Sequence, residues 1–215
     1  MSFGFRISND SHKAIEQTIK SDCKRQILFA AAANHGSNQK YIAYPARLNT
    51  VICVKSSDGY GTPSPFSPSK QDDAGRGFFI LGQEVLSMWP SRWYDGVRIL
   101  QRRASGTSVA TPIAAGVAAL ILEFMRQPDK EADRPDKEAD WPYLNKSLKK
   151  FDVDPTGQMA RILTAMSDST SSTALRKVNY IAPWTLLKST SDSDEDPPPM
   201  TPRKESASKI WNSLD

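Results

Sequence analysis

Hydrophobic positions along the chain fall into short runs separated by polar turns, with two periods. Residues 3–7 are apolar enough for a strand, and Asn9, Asp10 and Ser11 then form a capping cluster ahead of a helix predicted over 11–24. Within it Ile15, Ile19 and Cys23 recur every four residues, which lays one stripe on the core. Residues 27–33 read as a buried strand that ends at Asn34, His35 and Gly36. Strand, helix and strand in that order imply a parallel sheet with a right-handed crossover, and so α/β architecture.

Further on, residues 51–54 form another short buried strand, and residues 58–70, rich in Gly, Pro and Ser, read as loop. Residues 78–86 read as one or two strands around Gly82. Then a run of small residues, Gly106 to Gly116, leads into a segment from Val117 to Met125 in which Glu123 is the only charge. A helix that is apolar on nearly every side is expected to be buried. Pro112 suits its first turn, where no intrahelical hydrogen bond is lost. Ser108 would sit on the helix N-terminus, among unpaired N–H groups and a partial positive charge. That environment suits a nucleophile whose reaction develops an oxyanion. Pro155, Thr156 and Gly157 open a last helix, with Met159, Ile162, Leu163 and Met166 on its face, and residues 180–184 close the domain.

Composition narrows the picture. A chain of 215 residues is long enough for one sizeable core plus a tail. The seven residues 128–134 recur almost unchanged as 135–141, which reads as a charged surface insertion, since a solenoid needs longer and more numerous repeats. Residues 188–215 form an acidic, Ser/Pro-rich tail expected to be disordered. The net charge of +4 is small, and the basic pairs at Lys24, Arg102 and Lys149 carry no interleaved aromatics, so nucleic acid is not an expected partner. No run approaches membrane-spanning length, and the first residues show no leader, which favours a cytoplasmic location. Cys23 and Cys53 lack metal-ligand spacing, so two free thiols, no metal and no cofactor are expected. No Gly-rich phosphate loop follows a strand, which argues against nucleotide binding.

Gly106, Thr107 and Ser108, followed by Ala110, Pro112, Ala115 and Gly116, resemble the nucleophile block of the subtilisin-like serine peptidases, the subtilases. The resemblance implies that Ser108 is the catalytic serine, and that the fold is a three-layer α/β/α sandwich with a mostly parallel sheet. Three more segments fit in the family's order. Ala31, Ala32, Ala33 and Asn34 resemble the strand ending in the oxyanion-hole asparagine, which would make Asn34 a donor beside the Ser108 N–H. The alternative reading of Asn34 is a strand-ending turn residue, a position where Asn is common. Ser2, Phe3 and Gly4, after Met1, resemble the strand whose backbone pairs with substrate. Ala43, Tyr44 and Pro45 resemble the segment lining the pocket for the side chain before the scissile bond, where a cis bond often precedes the proline. The resemblance covers residues 1–187 and is similar in particular to fungal-type intracellular members.

A serine nucleophile needs a base, and the base an orienting carboxylate. In subtilases both precede the substrate strand, as Asp-Ser/Thr-Gly and His-Gly-Thr-His blocks. Neither lies in this sequence, so the expectation is a partial domain lacking its N-terminal strands and the triad Asp and His. His35 superficially imitates the His block but follows the Asn34 strand, and no apolar helix comes after it. An exposed loop histidine is its plainer reading, and a place at the rim of the substrate pocket the other. Asp58 with Gly59 imitates the Asp block in the wrong order and reads as a turn. His12 lies on a polar helix. The implied activity is endopeptidase, through a Ser108 acyl-enzyme acting on a protein or peptide substrate, with the missing half of the domain as a required partner. A catalytically inactive peptide-binding remnant is the alternative.

Overall fold

Ile52, Val54, Phe78 and Ile80 all point to one side of a sheet, because alternate strand residues share a face, and there they meet a helix of alanines. A computed structural model describes residues 1–6, 11–36, 41–68, 76–88, 101–126, 153–168 and 179–183. The strands are β1 (Phe29–Ala31), β2 (Ile52–Ser57), β3 (Gly77–Leu81), β4 (Val85–Met88), β5 (Gln101–Ala104), β6 (Ser167–Asp168) and β7 (Tyr180–Ile181). The helices are α1 (Ser11–Asp22), α2 (Thr107–Arg126) and α3 (Pro155–Ala165).

The main sheet has the order β1-β2-β3-β7-β6, parallel from β1 to β7 with β6 antiparallel at the end. On one face lie Phe29, Ile52, Val54, Phe78 and Ile80, packed on Ala110, Ala114, Ala118, Ile121 and Met125 of α2 and on Met159, Ile162 and Leu163 of α3. On the other, Ala30, Ala32 and Cys53 pack with Tyr44 and with Ile19 of α1. The result is a three-layer α/β/α arrangement, as expected. Each fully buried aliphatic or aromatic side chain in it contributes about 1.5–3 kcal/mol. Further along the second face, Lys55, Phe79 and Tyr180 are neighbours in register across three strands. The buried Lys55 lays its Nζ 5.2 Å from the Phe79 ring centre.

Several expectations are corrected. Residues 3–6 form no strand of their own. Phe5 makes an isolated antiparallel bridge with Tyr44, while Met1 donates to Phe29 O at 2.6 Å and accepts from Ala31 N at 3.1 Å. That pattern adds one parallel pair to the outer edge of β1. Among the described side chains of α1 only Ile19 is buried, and Ile15 is 43% exposed, because successive fourth residues drift round a helix of 3.6 residues per turn. α2 is buried on one stripe only. Pro112, Ala115, Gly116, Ala119 and Leu120 are exposed, since sheet and α3 cover a single side and no described residue forms a further layer. This helix is also the run thought absent, being long and apolar enough to cross a membrane, with a mean hydropathy of 1.8. Its alanines raise that mean while its packed stripe serves the core. Pro112 lies at the sixth helical residue rather than in the first turn, so the Ser108 carbonyl gets no i+4 amide donor.

The strand at 51–54 extends to Ser57, and residues 77–88 form two strands flanking Gly82. α3 begins at Pro155, capped by the Asp154 carboxylate, which accepts from Gly157 N at 2.9 Å. Both cysteines are free thiols, and Cys53 is buried. The duplication at 128–141, Trp184 and the tail at 188–215 lie outside the described residues.

Candidate active site

The parallel strands all end on the same side of the sheet, and that side carries the chemistry. β1 runs out through Ala32 and Ala33 to Asn34, and β3 runs out to Gly82. β4 and β5 then form a separate antiparallel hairpin, and β5 leads through Ser105 and Gly106 into α2. Gly106 is the meeting point. A methyl group added there would stand 3.0 Å from Asn34 Nδ2 and 3.6 Å from Ser108 Oγ. Asn34 and Ser108 therefore face one small space that only a glycine leaves open.

Both groups are fixed by their surroundings. The Asn34 side-chain oxygen accepts from Thr107 N at 2.8 Å and from Thr107 Oγ1 at 3.0 Å. With that oxygen occupied twice, the amide Nδ2 is turned toward Gly106 and Ser108. Thr107 Oγ1 also accepts from Ala33 N, at 3.4 Å, and Thr107 is 1% exposed. Gly106 O caps the helix by accepting from Val109 N and Ala110 N at 3.0 and 3.1 Å. Gly106 N in turn donates to Gly82 O at 2.8 Å. Gly82 permits this approach, because a methyl there would stand 2.6 Å from Ser56 Oγ and 2.8 Å from Ala110 Cβ. Ser105 Oγ ties the hairpin in, accepting from Glu84 N at 2.9 Å and donating to Glu84 Oε1 at 3.1 Å.

Ser108 is half-buried at the second residue of α2. Among the described residues nothing bonds its Oγ, its N–H or Asn34 Nδ2. Asn34 Nδ2 and Ser108 Oγ thus converge beside Gly106 with no partner among the described residues, an arrangement that suits acyl-transfer chemistry. Among the described residues no three His, Cys, Asp or Glu side chains are grouped to hold a metal ion.

Gly4 and Phe5 pack on the segment that holds Ala43 and Tyr44. Ser2, Phe3 and Gly4 are exposed. Gly4 rests on the opposite segment so closely that a methyl on it would meet Ala43 Cβ at 2.6 Å and Tyr44 O at 3.3 Å. Phe5 and Tyr44 exchange backbone hydrogen bonds, both 3.0 Å, and the Tyr44–Pro45 bond is cis. Burial, with Glu16 second, holds the Tyr44 phenol above its usual pKa. Asp58 is a turn residue whose Oδ1 accepts from Tyr60 N and Thr62 N at 2.9 and 2.8 Å. His35 is exposed, and the His12 side chain lies outside the described residues.

A model of the subtilase family, peptidase family S8, matches residues 1–137. The chain belongs to the subtilases. Subtilisin-like protease het-Q2 of Podospora anserina is 27% identical over 146 residues, covering 67% of this chain and 37% of that protein. This agrees with the fungal-type likeness. Subtilisin BL of Lederbergia lenta is 34% identical over 107 residues, covering 50% of this chain and 36% of its own. The solved structure of the prenylagaramide maturation protease PagA superposes with a TM-score of 0.54 at 25% identity, covering 84% of this chain and 56% of that one. The PatG macrocyclase in complex with peptide, with a TM-score of 0.55 at 20% identity, shares the fold. The chain thus spans about a third of the length of these curated relatives and about half of the solved chains.

Three subtilase residues at this site escape a reading of the sequence for reactive groups. Thr107 was visible as a motif member, and its buried hydroxyl on Asn34 was not. Gly82 and Ser105 carried no signal beyond a small residue near a strand end.

Proposed function

We propose that this chain contributes the nucleophile, an oxyanion donor and a substrate groove to a serine endopeptidase of subtilisin type. The convergence of Asn34 Nδ2 and Ser108 Oγ on the space beside Gly106 carries this reading. Ser108 Oγ attacks the peptide carbonyl carbon and gives its proton to a general base. The carbonyl oxygen becomes an oxyanion that receives hydrogen bonds from Asn34 Nδ2 and the Ser108 N–H. Collapse breaks the C–N bond, the leaving amine takes the proton from the base, and water hydrolyses the ester on Ser108 by the same steps. Ser2, Phe3 and Gly4 pair with substrate as an added strand, and Ala43, Tyr44 and Pro45 line the adjacent pocket. The base and its orienting carboxylate belong to a segment beyond this sequence, consistent with the fraction of the relatives' length that it spans.

The test is labelling by a fluorophosphonate, with the modified residue located by mass spectrometry. In protein extended by its upstream coding sequence, Ser108 should be labelled and Ser108→Ala should not. An extended, folded protein that leaves Ser108 unlabelled rejects the reading. A second reading, a peptide-binding domain without catalysis, is favoured by one observation: among the described residues no histidine bonds Ser108. It requires peptide binding with no acyl-enzyme in the extended protein.

A further inference from the structure

One apolar face of α2 has no cover among the described residues. Pro112, Ala115, Gly116, Ala119 and Leu120 share it at helical spacing, all exposed, and Leu120 is 72% exposed. Ile113 and Val117 are half-buried along one margin. No charge lies on this face between Pro112 and Leu120, and it begins one turn beyond Ser108. Its profile is uneven, raised at Pro112 and Leu120 and low between them, where a methyl added at Gly116 would meet nothing within 4 Å. A depression of that kind admits the larger side chains of a second helix. A contiguous apolar face on a domain in water marks a contact with something else.

The chain supplies a segment of matching shape. Residues 204–215, outside the described residues, carry Ala207, Ile210, Trp211 and Leu214 at the spacing i, i+3, i+4 and i+7. On a helix these four share one side, and Ser208, Lys209, Asn212 and Ser213 take the other. Large residues on the segment thus complement the depression on α2. A helix this short is marginal in water by itself, so it needs a surface to pack against.

The connection between the two starts in the right layer. Ile181 lies in the packed cluster that holds Ala114 and Ala118 of α2. Ala182 N donates to Met166 O at 3.1 Å, at the end of α3 on the same side of the sheet. Residues 184–203 then lead from the last described residue, Pro183, to the segment. At about 3.3 Å per residue when extended, they reach well beyond the length of α2, which rises about 1.5 Å per residue. Tethering makes the encounter intramolecular, which raises the effective concentration of the segment at the face.

We propose that residues 206–214 form a helix that docks through Ala207, Ile210, Trp211 and Leu214 on the Pro112–Leu120 face of α2 and shields it from water. The contact is independent of the reaction assigned to Ser108.

The experiment reads the reactivity of a thiol placed on that face. In the full 215-residue chain, Ala119→Cys is alkylated with iodoacetamide, and the rate at position 119 is followed by mass spectrometry of its peptide, apart from Cys23 and Cys53. Gln17→Cys, on the exposed side of α1, gives the rate of an open helical thiol. We expect position 119 to react about tenfold more slowly than position 17, because only the undocked fraction reacts. Adding Ile210→Asp with Trp211→Ser should restore the open rate, and adding Lys209→Ala, on the opposite side of the segment, should not. Circular dichroism checks that each variant keeps its fold. An open rate at position 119 in the chain with its native tail overturns the docking. Protection that survives Ile210→Asp with Trp211→Ser overturns it as well, and loss of that protection on dilution then identifies a second copy as the occupant.

Discussion

Thr107 grips Asn34 twice, through its backbone N–H at 2.8 Å and its hydroxyl at 3.0 Å, both on the side-chain oxygen. The amide that would stabilise an oxyanion is thus aimed by the residue next to the nucleophile. Thr107→Val keeps the shape and one of the two bonds. In the extended enzyme it should lower kcat about fivefold, with KM little changed, because the lost bond is worth roughly 1 kcal/mol. Asn34→Ala should cost about 10²–10³-fold in kcat, a magnitude established for such a donor in a subtilisin. Steady-state kinetics on a chromogenic peptide separate the two, and an Asn34→Ala enzyme with undiminished kcat would remove Asn34 from the mechanism.

Ala33 holds a φ of 132°, a region that L residues rarely occupy, immediately before Asn34. Such a conformation costs on the order of 1–3 kcal/mol. Ala33→Gly relieves it at an entropic expense of roughly 0.5–1 kcal/mol. The variant should be more stable by about 1 kcal/mol, seen as a higher midpoint in urea with an unchanged slope. A lower midpoint would show that the alanine is unstrained.

Two glycines should respond oppositely to a methyl. At Gly82 it meets Ser56 Oγ, Ala110 Cβ and Gly106 O, all within 3.0 Å, so Gly82→Ala should destabilise by about 1–3 kcal/mol. It should also slow the labelling of Ser108 in the extended enzyme, since Gly106 must shift. At Gly116, on the exposed side of α2, nothing lies within 4 Å, and Gly116→Ala should stabilise by up to about 1 kcal/mol. Thermal melts of both variants check the pair, and equal shifts would refute the packing argument.

Tyr44 and Tyr180 both have phenols held above their usual pKa, by burial first and by a neighbouring carboxylate second, Glu16 and Asp58 respectively. A raised folded-state pKa means that the native state keeps its proton longer than the unfolded chain. Their contribution is therefore complete below about pH 10, the unfolded phenol value, and is lost as pH rises through the folded values. Stability measured by urea titration should fall above pH 10, and Tyr44→Phe should make that fall shallower. A fall of the same steepness in Tyr44→Phe would exclude the Tyr44 phenol as a source.

Much of this was legible in the residues. The alternation of apolar runs announced the parallel sheet, and α3 lies as its pattern of Met159, Ile162, Leu163 and Met166 implied, because every one of those residues is buried. The helix at 107–126 was legible in extent but not in exposure. Its composition is apolar all round, and which stripe is covered depends on the layers that reach it.

The sequence by itself determined the family, the identity of the nucleophile candidate and the order of the elements. These depend on local spacing and on residue chemistry, which a linear chain displays. Tertiary structure alone decided that Thr107 aims Asn34, and that Gly82 and Gly106 admit the close approach of two strand ends. Those are contacts between residues as far as 73 positions apart. Only the packed sheet brings them within hydrogen-bonding distance.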